Sequence, residues 1–346
     1  PDEIGLDDEA IRKIKKATQN RKSSINQGSA FIKSLAHMSQ VAAALAAEGH
    51  VNEEILLAQW EVVLEDLQMQ DIKIKELKTD DGKVYYLNQK TGATSWDKPL
   101  MHLNQPSIIR LSSLLTGIGK KNVPVVHNLG LLLKAVEMQS DKLSDLQIIL
   151  ETLQKFSVNK SNLSKISDNN GIIIISRTLH KLISRQSADQ QQIDLRNKCE
   201  ISCAIMSARF AAVESLKAKV AESNLIQLLM HVHSSSMDPR FTREAMASYG
   251  NFAYDYIPAI ELMTNQGIIK LIEKVLQIFP DEKRIMELTL VTLSNLMYGN
   301  DKIKKDIGLT CGDEIVDVIK RHNEHKTIQQ AAMRAVGNLA SIDENI

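Results

Sequence analysis

The sequence predicts an all-α solenoid that carries one small β-sheet insertion. Three observations lead to this fold class: a short helical phrase recurs at nearly constant spacing, a turn-and-helix phrase precedes each copy, and helical periodicity stops once, at residues 72–99. A helical period of roughly 40 to 47 residues is typical of stacked units that bury one continuous core. Because such stacks present long surfaces to other molecules, this fold class favours binding over catalysis.

The recurring phrase is an apolar helix that ends in a small residue, an asparagine and an apolar residue. Its clear copies contain Asn251, Asn295 and Asn338, so the spacing is 44 and then 43 residues. Looser copies have Arg209 and Lys155 at the asparagine position. Apolar residues recur five and two positions before the asparagine, a helical spacing that predicts a buried face. These apolar residues are Met246, Tyr249, Leu290, Leu293, Met333 and Val336.

The turn-and-helix phrase also belongs to each unit. It begins with Asn265-Gln266-Gly267 in one unit and with Cys311-Gly312-Asp313 in the next, and an apolar helix follows in both. Looser copies begin at Asn224 and Asn170. Glycine suits a tight turn between two helices. We therefore expect a turn at each of these positions, and a loop in the polar stretch 185–194.

The two phrases together resemble the armadillo repeat family. The resemblance covers roughly residues 105–346 and implies an armadillo-type right-handed superhelical solenoid. In that family the third helices line a concave groove, where asparagine side chains hold the backbone of an extended peptide. An amide suits this role because it offers both a hydrogen-bond donor and an acceptor. The implied peptide groove contains Lys155, Arg209, Asn251, Asn295, Arg334 and Asn338.

One departure from the family changes the expected partner. Nuclear-import members carry a tryptophan four residues before each asparagine, whereas this chain carries Ala247, Val291 and Arg334 there. A classical import receptor is therefore not expected. The basic groove residues Lys155, Arg209 and Arg334 favour an acidic or phosphorylated partner segment. One alternative stays open at this point, in which the asparagines bond neighbouring backbone inside the stack.

Residues 72–99 have the pattern of a small antiparallel sheet. Residues 72–78 alternate apolar and polar side chains as a half-buried strand does, 79–82 form a hairpin turn, and 84–88 form the next strand. Residues 89–92 then turn the chain into 93–96. We therefore expect three antiparallel strands.

This sheet pattern resembles the WW domain family, most closely over residues 80–99. The resemblance implies that Tyr85 and Trp96 form an aromatic groove for proline-rich segments, with Leu87, Gln89 and Thr94 on the same face. Flat aromatic walls suit a polyproline II ligand, because that helix is already ordered and loses little entropy on binding.

The first tryptophan of the WW family is replaced by Ile74 in this chain. That residue normally packs with the positions held here by Tyr86 and Pro99, and its loss should remove on the order of 3 kcal/mol from so small a domain. Two interpretations follow: an open groove that binds proline-rich motifs, or a module braced against the helices with Trp96 buried. Trp60 lies in a helical run too far from Trp96 to replace the missing residue, so we expect it in the helical core.

The composition agrees with a protein-binding role. The chain has 346 residues, of which 43% are hydrophobic and 24% charged, and its 42 basic residues balance its 42 acidic ones. Balanced charge predicts no general attraction to nucleic acid. The sequence has no apolar run of about twenty residues, so no membrane span is expected. Three cysteines without a pairing pattern indicate a reducing compartment, which we take to be the cytoplasm.

Catalytic and metal-binding signals are weak in the sequence. Cys199 and Cys203 share a helix face without a second registered pair, so no zinc site is expected. His231 and His233 lie near a helix end, where we expect a capping or exposed position. No residue constellation supports an enzyme, and we expect no catalytic residues, no cofactor and no metal.

The sequence predicts an N-terminal helical region at 1–70, a WW-like module at 71–100 and armadillo-type repeats at 101–346. We expect a non-catalytic scaffold that binds an extended partner segment in the armadillo groove and a proline-rich motif on the WW-like module. The alternative is a structural component of a cytoskeletal or vesicle-associated assembly, with the WW-like segment as an internal brace. Because the chain begins with Pro1 and ends just after an asparagine helix, we expect it to be a fragment of a longer protein.

Overall fold

The computed structural model describes residues 57, 60, 63–64, 74–79, 81–88, 94–96, 123–138 and 142–342. This part of the chain is mostly helical, with one small antiparallel sheet. A short 3-10 helix, Glu214–Leu216, precedes the sixth α-helix. The α-helices are α1 (Leu129–Met138), α2 (Leu143–Phe156), α3 (Lys160–Asp168), α4 (Gly171–Ile183), α5 (Gln190–Ala211), α6 (Lys217–Glu222), α7 (Leu225–Ser235), α8 (Pro239–Ala253), α9 (Ile257–Asn265), α10 (Ile268–Ile278), α11 (Lys283–Leu296), α12 (Asp301–Arg321) and α13 (Lys326–Leu339).

The described helices form successive units that stack in chain order. The third helices of the units are α2, α5, α8, α11 and α13, and each packs against the next. The second helices, α1, α4, α7, α10 and α12, form another row in the same order. The short helices α3, α6 and α9 connect one unit to the next. The predicted repeat of helical units is confirmed.

A residue with left-handed backbone stands directly before four of the second helices. Asn128, Asn170, Asn224 and Gly267 have φ values of 55°, 62°, 60° and 82°. They precede α1, α4, α7 and α10. Asparagine and glycine tolerate this conformation better than other residues do. The predicted turns at Asn170, Asn224 and Gly267 are therefore confirmed, and Asn128 adds a turn that the sequence analysis missed.

Two boundaries differ from the prediction. Gly312 forms no turn, because α12 runs without a break from Asp301 to Arg321 and merges the first and second helices of its unit. The predicted loop at 185–194 is shorter, because α5 begins at Gln190. The Asp189 carboxylate accepts a hydrogen bond from the backbone N–H of Gln191 at 3.1 Å. Such a cap satisfies a free N–H of the first turn, so the helix starts within the polar stretch.

Trp60 belongs to the helical core, as predicted. Its ring is fully buried and meets the Phe156 ring of α2 edge-on, with the centroids 5.0 Å apart. The indole Nε1 donates a hydrogen bond to the His127 carbonyl oxygen at 3.0 Å. A buried indole needs such a partner for its N–H. Trp60 therefore ties its helical segment to the first described unit of the stack.

The predicted core stripe is buried except in the last described unit. Met246, Tyr249, Leu290 and Leu293 are fully buried between successive third helices. Met333 is 64% exposed, so the prediction is wrong at this position. In the described residues no third helix follows α13, and this face is therefore uncovered.

His233 is buried, contrary to the prediction of a capping or exposed position, whereas His231 is exposed. Helix α7 continues to Ser235, so His233 still faces α8. Its ring stacks on Tyr249 with the centroids 6.0 Å apart, and its Nε2 lies 3.1 Å from Thr242 Oγ1. Burial lowers the pKa of His233 to about 4.

The sheet begins with the predicted hairpin. Strand β1 (Ile74–Lys78) pairs antiparallel with β2 (Val84–Asn88). Between them the Gly82 N–H donates to the Thr79 carbonyl oxygen at 2.9 Å, and Gly82 has a φ of 81°, in the left-handed region that favours glycine. The predicted third strand is short: β3 (Thr94–Ser95) has two residues and pairs with the middle of β2.

Replacing Gly171 with alanine should destabilise the fold. Gly171 opens α4, where an added Cβ would collide with Ile166 Cγ2 and lie 2.5 Å from the Ile166 carbonyl oxygen. Overpacking of this kind costs about 1–3 kcal/mol. Urea unfolding should show this loss in Gly171→Ala, and an unchanged midpoint would contradict the close packing of α3 on α4.

Gly312→Ala is the matched control and should have the opposite sign. Nothing lies within 4 Å of a Cβ added there, and Gly312 sits inside the continuous helix α12. Alanine should therefore stabilise the protein by about 0.5–1 kcal/mol in the same urea titration. A destabilised Gly312→Ala protein would show that the chain turns at this point, as the sequence alone suggests.

The buried His233 predicts a loss of stability in mild acid. In the unfolded chain a histidine binds a proton near pH 6.5, whereas His233 in the folded chain stays neutral down to about pH 4. Its contribution is complete above pH 6.5 and is lost as the pH falls from 6.5 to 4, by about 3 kcal/mol in total.

Urea unfolding at pH 7.0 and 4.5 measures this loss. The variant His233→Gln should lose clearly less stability than the wild type between these pH values. The variant His231→Gln, at the exposed histidine, should behave like the wild type. Equal pH dependence in all three proteins would contradict a neutral buried His233.

Candidate protein-interaction surfaces

The ladder comprises the five residues at the asparagine position of the units: Lys155, Arg209, Asn251, Asn295 and Asn338. Each lies one or two residues before the end of its third helix, and each side chain is half-buried. Because these helices pack in order, equivalent positions form one row across the stack. This row, together with Arg334, makes up the predicted peptide groove.

The three asparagines make the same hydrogen bond to the unit before them. Asn251 Nδ2 donates to the Ala208 carbonyl oxygen at 2.9 Å. Asn295 Nδ2 donates to Gly250 at 2.9 Å, and Asn338 Nδ2 donates to Ser294 at 3.0 Å. The acceptor in each case directly precedes the ladder residue of the previous unit. These bonds confirm the alternative in which the asparagines bond neighbouring backbone inside the stack.

The small residue of the phrase lets neighbouring third helices approach closely. A Cβ on Gly250 would lie 2.9 Å from Thr292 Oγ1, which itself bonds the Met246 carbonyl oxygen at 3.1 Å. On the other side of α8, the hydroxyls of Ser207 and Ser248 are 2.7 Å apart. The small residue therefore supplies both the space for the next helix and the carbonyl for its asparagine.

Arg209 makes the equivalent hydrogen bond in the unit before Asn251. Its Nη1 donates to the Gln154 carbonyl oxygen, again the residue before the previous ladder position, and to Ser157 Oγ at 2.5 Å. Burial lowers the pKa of Arg209, and the nearby Glu244 carboxylate opposes this change. The guanidinium is therefore engaged within the stack, which weakens the prediction that it attracts an acidic partner.

The charge of the ladder face is mixed. Burial also lowers the pKa of Lys155, and the Glu151 carboxylate on the same helix opposes this change. Arg334, one turn before Asn338, is exposed. The preference for an acidic or phosphorylated partner stays a prediction that rests mainly on Arg334.

Each ladder asparagine keeps part of its hydrogen-bonding capacity. A primary amide has two N–H donors and one acceptor oxygen. Within the described part of the chain, Asn251, Asn295 and Asn338 each use one donor, and no hydrogen bond reaches their Oδ1 atoms. The half-buried amides can therefore hold the stack together and still accept a hydrogen bond from a ligand.

Four of the five predicted proline-motif residues share one face of the sheet. Leu87 pairs with Thr94 across the strands, and the same register places Tyr85 and Trp96, two residues further along each strand, opposite each other on that face. The Tyr85 and Trp96 rings meet at 60° with their centroids 5.9 Å apart. Thr94 is exposed and Leu87 is half-buried. Gln89 lies outside the described residues.

Trp96 is 66% exposed, which disagrees with the interpretation that it is buried against the helices. The Tyr85 ring is half-buried beside it, as an aromatic wall requires. Pro99 and the side chains of Ile74 and Tyr86 lie outside the described residues. How the missing first tryptophan is compensated therefore stays a prediction.

The cysteines are buried in the stack. Burial raises the pKa of Cys199 and of Cys311 to about 12 and raises that of Cys203 as well. A thiol acts as nucleophile or metal ligand only when deprotonated, so these side chains behave as small apolar residues.

Among the described residues no group of three histidine, cysteine or acidic side chains is placed to hold a metal ion. No helix in the described ranges combines the length and hydropathy needed to cross a bilayer.

Comparison with known proteins finds similarity for the sheet segment and for the helical stack. Residues 75–99 match the family model of the WW domain. A designed armadillo repeat protein superposes with a TM-score of 0.56 at 14% identity, over 69% of this chain and 96% of the other. A computationally designed armadillo repeat protein for modular peptide recognition gives 0.54 at 14% identity, over 68% and 92%.

A third solved structure superposes on a larger share of this chain. A chain from a structural study of the interaction between cadherin and beta-catenin superposes with a TM-score of 0.58 at 14% identity, over 97% of this chain and 59% of the other. No curated protein sequence matches significantly. At this identity the likeness establishes the fold alone. The chain therefore has the armadillo repeat fold and carries a segment that matches the WW domain family.

Proposed function

We propose that this chain is a non-catalytic protein-interaction scaffold with two binding surfaces. The aromatic face of the WW segment binds a proline-rich motif, and the ladder face binds an extended partner segment. The single observation that carries the proposal is the exposed Trp96 beside Tyr85, in a segment that matches the WW domain family.

The aromatic face has the chemistry that a proline-rich ligand needs. Proline rings pack on flat aromatic surfaces, and two aromatic side chains at an angle form a slot for them. Tyr85 and Trp96 meet at 60°, with Leu87 and Thr94 continuing the same face. An indole that is mostly exposed leaves considerable apolar area for a ligand to cover. These features support an open groove rather than an internal brace.

The ladder face supports a second, sequence-tolerant site. Packed helices are about 8–10 Å apart, and an extended chain advances about 3.3 Å per residue. Successive ladder amides would therefore meet every second or third peptide unit of an extended segment. Each amide oxygen that accepts nothing within the stack offers an acceptor for a peptide N–H.

The cysteines and the charge balance bear on where the protein works and on what it binds. All three cysteines are unpaired and buried, which supports a reducing compartment, and we place the protein in the cytoplasm. The partners are other proteins rather than nucleic acid, because basic and acidic residues balance over the chain.

The aromatic face is tested with a library of proline-rich peptides and protein labelled with 5-fluorotryptophan. The chain has two tryptophans, so fluorine NMR should give two signals, and Trp96→Phe assigns them. We expect a saturable shift of the Trp96 signal and none at the buried Trp60. Tyr85→Ala should weaken binding at least about tenfold, because interface aromatics contribute strongly.

The control for this test is Tyr298→Ala, which removes an exposed tyrosine far along the chain from the sheet. It should leave peptide affinity unchanged. If no peptide shifts the Trp96 signal, or if both tyrosine variants behave alike, the aromatic face is not a proline-motif site.

The ladder face is tested by selecting peptides from a randomised library of twelve residues on Trp96→Ala protein, which lacks the aromatic face. Ala247→Arg places a long side chain one turn before Asn251 and should weaken binding of the selected peptides at least about tenfold by occlusion. Ala188→Arg, in the exposed loop before α5, is the control and should bind normally. Equal binding by both variants would remove the ladder face as the site.

A further inference from the structure

A cleft of about 290 Å³ lies between α7 and α10, in the row of second helices. It belongs to neither surface described above, because the ladder residues lie on the third helices and the aromatic face lies on the sheet. The cleft spans two successive units. A ligand bound here would therefore contact both.

The rim of the cleft is basic. Lys270 and Lys274 are one turn apart on α10, and His231 and Ser234 line the opposite side from α7. Both lysines are exposed, and neither forms an ion pair within the described ranges. No carboxylate lines the cleft. This contrasts with the ladder face, where Glu151 and Glu244 accompany the basic residues.

The floor of the cleft is apolar and carries one unsatisfied acceptor. Met230 and Leu271 are buried beneath it. Gln227 lines the cleft, and its Nε2 donates to Asn224 Oδ1 at 3.4 Å, which leaves Oε1 as the acceptor. This Oε1 is buried and has no hydrogen-bond partner. A buried acceptor without a donor is unfavourable, and because Oε1 has almost no accessible surface, a ligand N–H reaches it once the Gln227 amide rotates toward the cleft.

We propose that this cleft binds a phosphorylated serine or threonine in a peptide segment of a partner protein. The phosphoryl group takes hydrogen bonds from Lys270, Lys274 and the His231 ring. A peptide N–H of the same segment bonds Gln227 Oε1, and a neighbouring apolar side chain covers the floor. Charge-assisted bonds of this kind are the stronger class of hydrogen bond.

The size and charge of the cleft favour a peptide over a lipid surface or a nucleic acid. A volume of about 290 Å³ suits one side chain with its adjacent backbone rather than a polymer track. The whole chain has no net charge, so no broad field attracts a polyanion. The Gln227 acceptor matches an N–H donor, which a phosphopeptide has and a free phosphate lacks.

The test uses protein with carbon-13-labelled methionine methyl groups, in which the Met230 signal reports on the cleft floor. The probe is a mixture of acetylated pentapeptides with phosphoserine or phosphothreonine at the centre and randomised flanks. We expect a saturable Met230 shift with this mixture. The unphosphorylated mixture should give no shift, and inorganic phosphate should bind at least about tenfold more weakly.

Two double variants separate the cleft from general charge effects. Lys270→Ala with Lys274→Ala should weaken binding at least about tenfold. Lys219→Ala with Lys302→Ala removes two exposed lysines outside the cleft and should leave peptide affinity unchanged.

The proposal is overturned by a missing Met230 shift, by a shift that survives loss of both cleft lysines, or by inorganic phosphate or anionic vesicles that bind as tightly as the peptides. Because the cleft and the ladder are on different helices, Ala247→Arg should leave this binding intact.

Discussion

A single repeated hydrogen bond sets the geometry of the stack. In each described unit after the first, the ladder side chain donates to the carbonyl oxygen just before the previous ladder residue, from Arg209 to Gln154 and then from each asparagine in turn. The bond fixes how far one third helix is shifted along the next. The buried apolar stripe can interdigitate only at that shift, because a core packs densely in one register. The second-helix row and its cleft inherit the same spacing.

This connection also shapes what the ladder can bind. One amide donor is held by the stack, so the side chain is already ordered before a ligand arrives. An ordered acceptor loses little entropy when a peptide binds, which favours affinity without a large interface. The aromatic face has the same advantage, because Tyr85 and Trp96 are rigid rings that lose few rotamers when a ligand packs on them. Both proposed binding surfaces are therefore largely ordered in the free protein.

The sequence alone predicted those features of the fold that require particular residue types in a recognisable pattern. Regular spacing located the asparagines and the turns at Asn170, Asn224 and Gly267. Alternation of apolar and polar residues on either side of a turn sequence located the hairpin. Periodicity does not show which group an amide bonds. The sequence therefore left two alternatives open, in which the ladder asparagines bond either backbone within the stack or a bound peptide. The continuous α12 and the buried His233 were missed because both depend on neighbouring helices, which override local preferences. The exposure of Trp96 likewise depends on packing and not on its own segment.

The most direct measurement is the urea unfolding free energy of Asn295→Asp. This change removes the donor to the Gly250 carbonyl oxygen while keeping side-chain size and helix propensity close to those of asparagine. Loss of the bond, with a carboxylate left facing a carbonyl, should lower stability by about 1–3 kcal/mol. Asn323→Asp, at an exposed asparagine in the turn before α13, should stay within about 0.5 kcal/mol of the wild type. Equal stability of both variants would contradict the claim that the ladder holds the units together.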